Sequence, residues 1–257
     1  RNDGLEVSKG DFIGFVDADD YIEPDMYEKL IGLVGRYDLG VAQICRDEVD
    51  EAGNRLPLVV TPPAKEYIQS SQDFLKALLL HEGDCSFCTK LIKRELFDIA
   101  VFPEGELNED FRLFTEFLEH IDSVGILPDT GYHVCYRQGS STRTSKKEFP
   151  RVYRDIVVNA DRIETLVSCL YPELIVYARR FALVQRLDYM LHIPVGMMND
   201  NDSFYMDVKK YLRAHKKDTA KNPYLTRDQR RKLKLLTAAP KTVRTIHLMT
   251  MKIRGIS

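Results

Sequence analysis

An apolar run, a helical segment and a second apolar run constrain the fold of this chain more than any other sequence feature. Residues 11–17 are rich in aromatic and β-branched side chains, which is typical of a buried strand. Pro24, flanked by Glu23 and Asp25, then opens a helix, because proline suits the first turn and acids favour the positive end of the dipole. Residues 39–45 form the second run. This succession predicts a right-handed parallel crossover and an α/β fold.

The remaining pattern predicts mixed elements up to residue 147 and helices beyond it. We expect strand ends near 50–54 and at 56–60, and a helix that Ser70 caps and that ends near Leu80. A short helix at 91–97 and a helix from Glu109 to about 120, with Asn108 as its N-cap, follow. Strands at 123–127 and 131–137 flank a turn at Pro128, and 139–145 form a small-residue loop. We therefore expect a sheet domain at 1–147 and a helical domain at 148–257.

Three carboxylates in four residues follow the first predicted strand: Asp17, Asp19 and Asp20. In open parallel sheets the ligand crevice lies off such strand ends. Carboxylates this close repel one another unless a cation sits among them, and Mg²⁺ and Mn²⁺ accept such oxygen ligands together with phosphate oxygens. The cluster therefore indicates a metal–diphosphate site, with an acidic turn before the helix as the structural alternative. A calcium loop is excluded, because Ile22 stands where that loop needs glycine.

Three ordered blocks resemble glycosyltransferase family 2. The first joins Arg-Asn-Asp-Gly-Leu at 1–5 to Lys-Gly-Asp-Phe-Ile-Gly-Phe-Val-Asp-Ala-Asp-Asp-Tyr-Ile at 9–22. The second runs through 89–97, 102–105 and 108–110, and the third covers 136–142. The resemblance implies a partial GT-A sheet domain followed by an all-helical C-terminal region. The domain is expected to be partial, and inactive alone, because the family's first strand and its Asp-Asp-Gly-Ser segment have no counterpart in these 257 residues.

The resemblance also implies the chemistry. It predicts an inverting transfer of a sugar from a nucleotide-diphosphate donor, expected to be a UDP-sugar, to a glycan or lipid-linked acceptor in surface polysaccharide biosynthesis. A divalent cation, Mn²⁺ or Mg²⁺, would bind Asp19 and Asp17, and Asp17 would also meet the ribose or sugar. Arg1 and Asn2 match a segment near the nucleotide.

Asp110 matches the family's catalytic base, and Glu109 stands beside it. The dipole of the predicted helix would favour the ionised form of Asp110 and weaken it slightly as a base. Ordinary first-turn helix charge is the alternative interpretation of this pair. Two other function classes stay open: a non-catalytic interaction fragment or pseudo-enzyme of the same fold, and a glycoside hydrolase that pairs Asp19 with Asp110 and needs neither metal nor nucleotide.

The net charge of -2 conceals a basic C-terminal tail. From Lys209 onward the chain holds 15 Lys and Arg against two acids. Val243, Ile246, Met249 and Ile253 recur there at helical spacing, as in helices that lie on anionic membranes. Packing on its own domain is the alternative. Nucleic acid is not an expected partner, because no aromatic residues interleave with these charges.

The cysteines and the predicted sheet edge add three further expectations. Five scattered cysteines favour reduced thiols and a cytoplasmic protein. The basic tail would place this protein peripherally at the inner face of the membrane. Cys85 and Cys88 form a CxxC pair that we interpret as structural, since a second pair of zinc ligands is missing. His133 could face an acceptor, but such a histidine is more often packed or solvated. The strand at 12–16 would present an open sheet edge, which predicts a homodimer or aggregation.

Overall fold

The computed structural model describes residues 1–58, 60–136 and 149–253. The chain divides into two compact units, Arg1–Thr144 and Ser145–Ser257. The domain boundary predicted at 147, the loop predicted at 139–145 and the third family-like block beyond Tyr136 lie outside the described residues.

The first unit is a six-stranded mixed sheet with helices. Its helices and strands, in chain order, are α1 (Asn2–Val7), β1 (Phe12–Gly14), β2 (Tyr21–Ile22), α2 (Met26–Tyr37), β3 (Val41–Val49), β4 (Tyr67–Ser70), α3 (Ser71–Leu80), β5 (Lys90–Lys93), α4 (Glu109–Phe117) and β6 (Ser123–Cys135). Short 3-10 helices at Phe87–Thr89 and Arg94–Asp98 flank β5. The predicted α/β class is confirmed, and α1, β2 and β4 are additional to the sequence-based prediction.

The strand order is β1-β5-β3-β6-β2, and β4 also pairs with β6. β3 and β6 run parallel, whereas β5 is antiparallel to both of its neighbours, β1 and β3. β1 and β3 are parallel, as the predicted crossover requires, and β5 lies between them. The helix predicted at 91–97 is wrong for residues 91–93, which belong to β5, whereas residues 94–97 lie in the 3-10 helix Arg94–Asp98. Periodicity cannot distinguish a strand from a helix in an apolar run this short, and Ile92 becomes a fully buried central position.

Two further predictions need correction: the turn placed between the strands at 123–127 and 131–137, and the strand at 56–60. The strands predicted at 123–127 and 131–137 form one strand, β6, as far as Cys135. Pro128 lies where the pairing with β3 shifts from Gln43–Ile126 to Cys45–Thr130, and a proline is tolerated at such an irregularity. Residues 56–58 form no strand, because the chain turns after β3 and makes only an isolated bridge between Val49 and Arg55.

Helix α2 packs on the sheet through its apolar face. Met26, Leu30 and Leu33 are fully buried there. The predicted cap of α3 is confirmed, since the Ser70 side chain accepts a hydrogen bond from the Asp73 amide. Asn108 stands at the N-cap of α4, but in the left-handed conformation and without a side-chain capping bond.

The described part of the second unit is helical, as predicted. Its longer elements are α5 (Val152–Leu170), α6 (Ile175–His192), α7 (Ser203–Ala214), α8 (Lys216–Lys221), α9 (Arg227–Ala238) and α10 (Pro240–Ile253). α6 lies at the centre, with Leu183, Tyr189 and Met190 fully buried. Within the described ranges, every helix is too short or too polar to cross a bilayer.

Candidate functional site

A single guanidinium joins three acidic residues from two places in the first unit. Arg1 Nη2 lies 3.3 Å from Asp17 Oδ1, just after β1. Arg1 Nη1 contacts Asp110 Oδ1 at the start of α4 and lies 3.5 Å from Glu109 Oε1. The ring of Phe102 lies beneath the guanidinium, 5.1 Å from it. Four of the six residues predicted for the site thus share one location.

Asp110 is held in a partly dry environment. Its side chain is 21% exposed, and its second oxygen accepts a hydrogen bond from the Phe87 amide at 3.3 Å. Burial raises the pKa of Asp110 above its ordinary value, although the positive charge of Arg1 opposes the shift. The helix dipole was expected to weaken Asp110 slightly as a base, whereas burial acts in the opposite direction and favours the protonated form.

The Asp17–Asp20 turn is anchored to β6. The Tyr132 hydroxyl accepts a hydrogen bond from the Asp17 amide at 3.1 Å and donates one to Asp20 Oδ2 at 2.7 Å. Asp20 Oδ1 accepts a further bond from the Cys135 amide at 2.9 Å. Tyr132 is almost fully buried, and this burial raises the pKa of its hydroxyl, which stays a donor. Both oxygens of the Asp20 carboxylate are therefore hydrogen-bonded within the protein, and these bonds orient the neighbouring Asp17 and Asp19.

Cys88 supplies a second contact to Asp17. Its Sγ lies 3.3 Å from Asp17 Oδ2. Burial raises the pKa of Cys88 to about 11 and that of Cys85 to about 12, so both are neutral thiols near pH 7. Cys88 therefore donates a weak hydrogen bond to the carboxylate, and neither thiol is a ready metal ligand or redox nucleophile.

The residues present fit a cation that is shared with a ligand. Among the described residues, no group of three or more His, Cys, Asp or Glu side chains could enclose a metal ion. Asp20 accepts a hydrogen bond from Tyr132, and Asp17 forms an ion pair with Arg1, while Asp19 is exposed to solvent. This set suits an ion held mainly by Asp19, with Asp17 beside it and diphosphate oxygens completing the shell. It does not suit an all-protein cage.

The Asn2 side chain fixes the segment next to Arg1 by two hydrogen bonds to the backbone of Phe102. Its Nδ2 donates to the Phe102 carbonyl at 2.9 Å, and its Oδ1 accepts from the Phe102 amide at 3.2 Å. Both ends of the side-chain amide are therefore used within the protein. Its placement near a nucleotide stays a prediction, whereas its hold on the segment that carries Arg1 is observed.

Lys90 supports the site from beneath, which the sequence pattern did not suggest. Its ammonium is completely buried and donates to the carbonyls of Asp84 and Ser86 at 2.8 and 2.7 Å. It also lies 4.7 Å from the centre of the Phe114 ring, and burial lowers its pKa. Lys90 thus fixes the segment that presents the Phe87 amide to Asp110.

His133 is packed. Its Nδ1 lies 2.6 Å from Asp47 Oδ1, its Nε2 lies 3.1 Å from Glu23 Oε1, and its ring stacks on Tyr21. His133 is therefore packed within the protein, which is one of the alternatives that the sequence left open. Both of its ring nitrogens contact carboxylates of the protein.

Comparison with known proteins shows which family the first part of this chain resembles. Residues 1–99 match the sequence model described as "Glycosyl transferase family 2". Residues 1–99 are therefore similar to glycosyltransferase family 2. The match includes the Asp17–Asp20 turn and the Thr89–Lys90 segment, whereas Glu109 and Asp110 lie beyond it.

Relatives and a solved structure agree with the family assignment. An uncharacterized glycosyltransferase of Haemophilus influenzae is 30% identical over 47% of this chain and 44% of its own length. Glycosyltransferase GlyG of Streptococcus pneumoniae is 27% identical over 79% of this chain and 69% of its own length. The chain therefore spans less than half of the Haemophilus relative. TarS from S. aureus, crystallised with UDP-GlcNAc, superposes with a TM-score of 0.66 at 15% identity, covering 99% of this chain and 71% of TarS. The chain has the fold of that glycosyltransferase.

Proposed function

We propose that this chain carries the acceptor-activating and cation-binding part of a metal-dependent, inverting glycosyltransferase. One observation supports the proposal above others: the Arg1 side chain contacts both Asp17 and Asp110. The acidic turn after β1 and the carboxylate on α4 are therefore close enough for a single side chain to bridge them. Had these carboxylates stood on opposite sides of the sheet, one reaction centre could not use both.

In this mechanism Asp110 takes the proton of the acceptor hydroxyl as the oxygen attacks the anomeric carbon. A hydroxyl is a poor nucleophile near pH 7, and a carboxylate of raised pKa is a better acceptor for its proton. Asp17 would orient the donor, and Asp19 together with Asp17 would hold the cation. When bound, the cation would neutralise the charge that develops on the leaving diphosphate. Glu109 adds negative charge beside the base and helps to hold Arg1.

The donor in this proposal is a UDP-sugar. Support comes from the fold shared with TarS, which was crystallised with UDP-GlcNAc and with UDP. The proposed acceptor is a glycan or a lipid-linked glycan of a surface polysaccharide. Because the chain covers only part of its relatives, activity is best measured on the protein expressed from its complete gene.

The deciding experiment combines a donor screen with matched carboxamide variants. With Mn²⁺ and a panel of UDP-sugars, the unmodified protein should release UDP in an acceptor-dependent manner and form a product of inverted anomeric configuration by NMR. Asp110→Asn should lower kcat by about 10² to 10⁴, the range for loss of a general base. Glu109→Gln is the matched neighbour and should lower kcat much less, since it keeps the base.

Three results would contradict the proposal. Equal losses for the two variants would remove Asp110 from its role as base. Sugar release without nucleotide or metal would favour the hydrolase. Binding of UDP-sugar without turnover would favour a non-catalytic protein of the same fold, in which Arg1 permanently occupies the Asp110 carboxylate.

A further inference from the structure

Helix α10 buries its arginine and exposes its apolar residues, the reverse of a helix packed by hydrophobic contact alone. Arg244 is only 7% exposed, whereas Ile246, Met249 and Ile253 are 58%, 59% and 86% exposed. Three of the four apolar residues that recur along α10 in the sequence are therefore not consumed by packing on the helical unit.

Arg244 explains how α10 is held without that apolar stripe. Its Nε donates to the Ile193 carbonyl at 2.8 Å, and its Nη2 donates to the His192 carbonyl at 3.0 Å. These carbonyls stand at the C-terminal end of α6, where backbone acceptors lack helical partners and a cation is favoured by the dipole. Val243 adds an apolar contact with the core of the unit. α10 is thus docked through Arg244 and Val243, and its other face is available.

The available face has the layout of an interfacial helix. At about 100° per residue, Ile246, Met249 and Ile253 fall within an arc of about 60°. Exposed Lys241 and Lys252 border this arc on one side. Lysines at such a border can extend their ammonium groups toward phosphate while their stems lie along apolar surface. We call Ile246, Met249 and Ile253 the α10 stripe.

Charge distinguishes between the partners that could cover the α10 stripe. The chain from Lys209 onward has 15 basic and two acidic residues, and the adjoining helix α9 also exposes Arg227, Arg231 and Lys234. Two such surfaces repel one another, so a second copy of this chain is disfavoured. A lipid bilayer with anionic headgroups and an apolar interior complements both the basic residues and the apolar stripe. We propose that the α10 stripe inserts into the headgroup region of an anionic phospholipid membrane.

This inference goes beyond the proposed transferase activity, and its test measures binding alone. The chain contains no tryptophan, so Ile246→Trp introduces a single reporter on the stripe. Its emission should shift to the blue with vesicles of phosphatidylcholine and phosphatidylglycerol in equal parts, and brominated lipid should quench it. Leu170→Trp, at a position of α5 that is 53% exposed, is the matched control and should respond to neither.

Co-sedimentation with the same vesicles provides the second arm. Changing the three stripe residues to serine should lower the partition coefficient at least tenfold, whereas Val158→Ser and Leu170→Ser, on the exposed side of α5, should leave it unchanged. Lys241→Glu with Lys252→Glu should lower it by about tenfold or more, at about 1 kcal/mol for each basic residue near the surface. Far-UV circular dichroism checks that each variant is folded.

The proposal is overturned if the unmodified chain does not sediment with anionic vesicles, or if the serine variant sediments as well as the unmodified chain. It is also overturned if light scattering shows that the serine variant converts an oligomer to a monomer, because the α10 stripe would then be a contact between copies. Equal binding to pure phosphatidylcholine would contradict the part assigned to charge.

Discussion

At the scale of single residues, the candidate site balances burial against one positive charge. Burial raises the pKa of Asp110, and Arg1 restrains that rise from within hydrogen-bond distance. Arg1 is in turn positioned by the ring of Phe102 and by its neighbour Asn2, which is tied to the backbone of Phe102. The protonation of the proposed base therefore depends on a side chain more than a hundred residues away in sequence.

We predict that Arg1→Gln moves the acidic limb of the pH profile of kcat/KM to higher pH. The base works only when ionised, and loss of the positive charge of Arg1 raises the pKa of Asp110 further. Activity at pH 6 should consequently fall more than activity at pH 8. Arg36→Gln, which removes a surface ion pair with Glu66, is the control and should leave the profile unchanged.

A second outcome of that measurement has a different meaning. If Arg1→Gln lowers kcat/KM equally at all pH values and raises the KM of the donor, Arg1 contacts the nucleotide and does not tune Asp110. The prediction would then be wrong, although the family-based placement of Arg1 near the nucleotide would gain support.

Tyr132 provides the second prediction at this scale. Tyr132→Phe removes the hydroxyl that binds the Asp17 amide and Asp20, while the ring remains in the core. We expect the Mn²⁺ concentration for half-maximal activity to rise several-fold, because the turn that presents Asp19 becomes less fixed. The loss of folding stability should be about 1–3 kcal/mol, because two hydrogen bonds are lost and each usually contributes about 0.5–1.5 kcal/mol. Tyr67→Phe on β4 is the control and should change neither quantity.

At the scale of elements, the contact between α2 and β6 depends on the absence of a side chain. A Cβ atom at Gly125 would lie 2.5 Å from a methyl group of Leu39 and 2.8 Å from one of Leu33. Both leucines belong to the buried core and cannot withdraw into solvent. A glycine in the middle of a strand normally weakens it, so this one is explained by the close approach of the helix.

We therefore predict opposite effects for two glycine-to-alanine changes. Gly125→Ala should destabilise the first unit by about 1–3 kcal/mol through overpacking. Gly35→Ala, on the exposed side of α2 with no atom within 4 Å of the added methyl, should stabilise it by about 0.5–1 kcal/mol, since alanine loses less backbone entropy in a helix. Calorimetric melting of the two variants checks the signs, and equal shifts in one direction would contradict this account.

At the scale of the whole molecule, the sheet has an open side. β1 is the terminal strand of the described order, and it pairs only with β5 on that path. An unpaired row of backbone groups on an edge strand is a template for pairing with another chain. The homodimer predicted from the sequence stays a proposal, and this edge is its location.

We predict concentration-dependent association of the 257-residue chain through the outer edge of β1. Size-exclusion chromatography with light scattering should show a species above the monomer mass of 29.7 kDa that dissociates on dilution. The serine variant of the α10 stripe is the control and should associate equally, because a different surface is involved. A monomer at every concentration would contradict the prediction.

Much of the site could be predicted from local sequence. The acidic turn after an apolar strand and the Ser70 cap are patterns whose chemistry depends on adjacent residues, so local spacing identified them. The Glu109–Asp110 pair was singled out by the family resemblance, because its spacing also fits ordinary first-turn helix charge. The helical character of residues 149–253 followed from the same kind of periodicity. Family resemblance added an expected role for each carboxylate, and residues 1–99 bear out the family.

Only the tertiary structure decided which distant residues meet. Tyr132, Cys88 and Lys90 carry no local signal for the site, because each acts through a partner brought close by the sheet. The insertion of β5 between β1 and β3 was likewise invisible, since a four-residue segment with two apolar residues, Leu91 and Ile92, fits a strand or a helix equally well until neighbouring strands supply hydrogen bonds. The sequence by itself determined the composition of each face and turn. Long-range pairing and burial then determined the register, the pKa of Asp110 and the side of α10 that stays exposed.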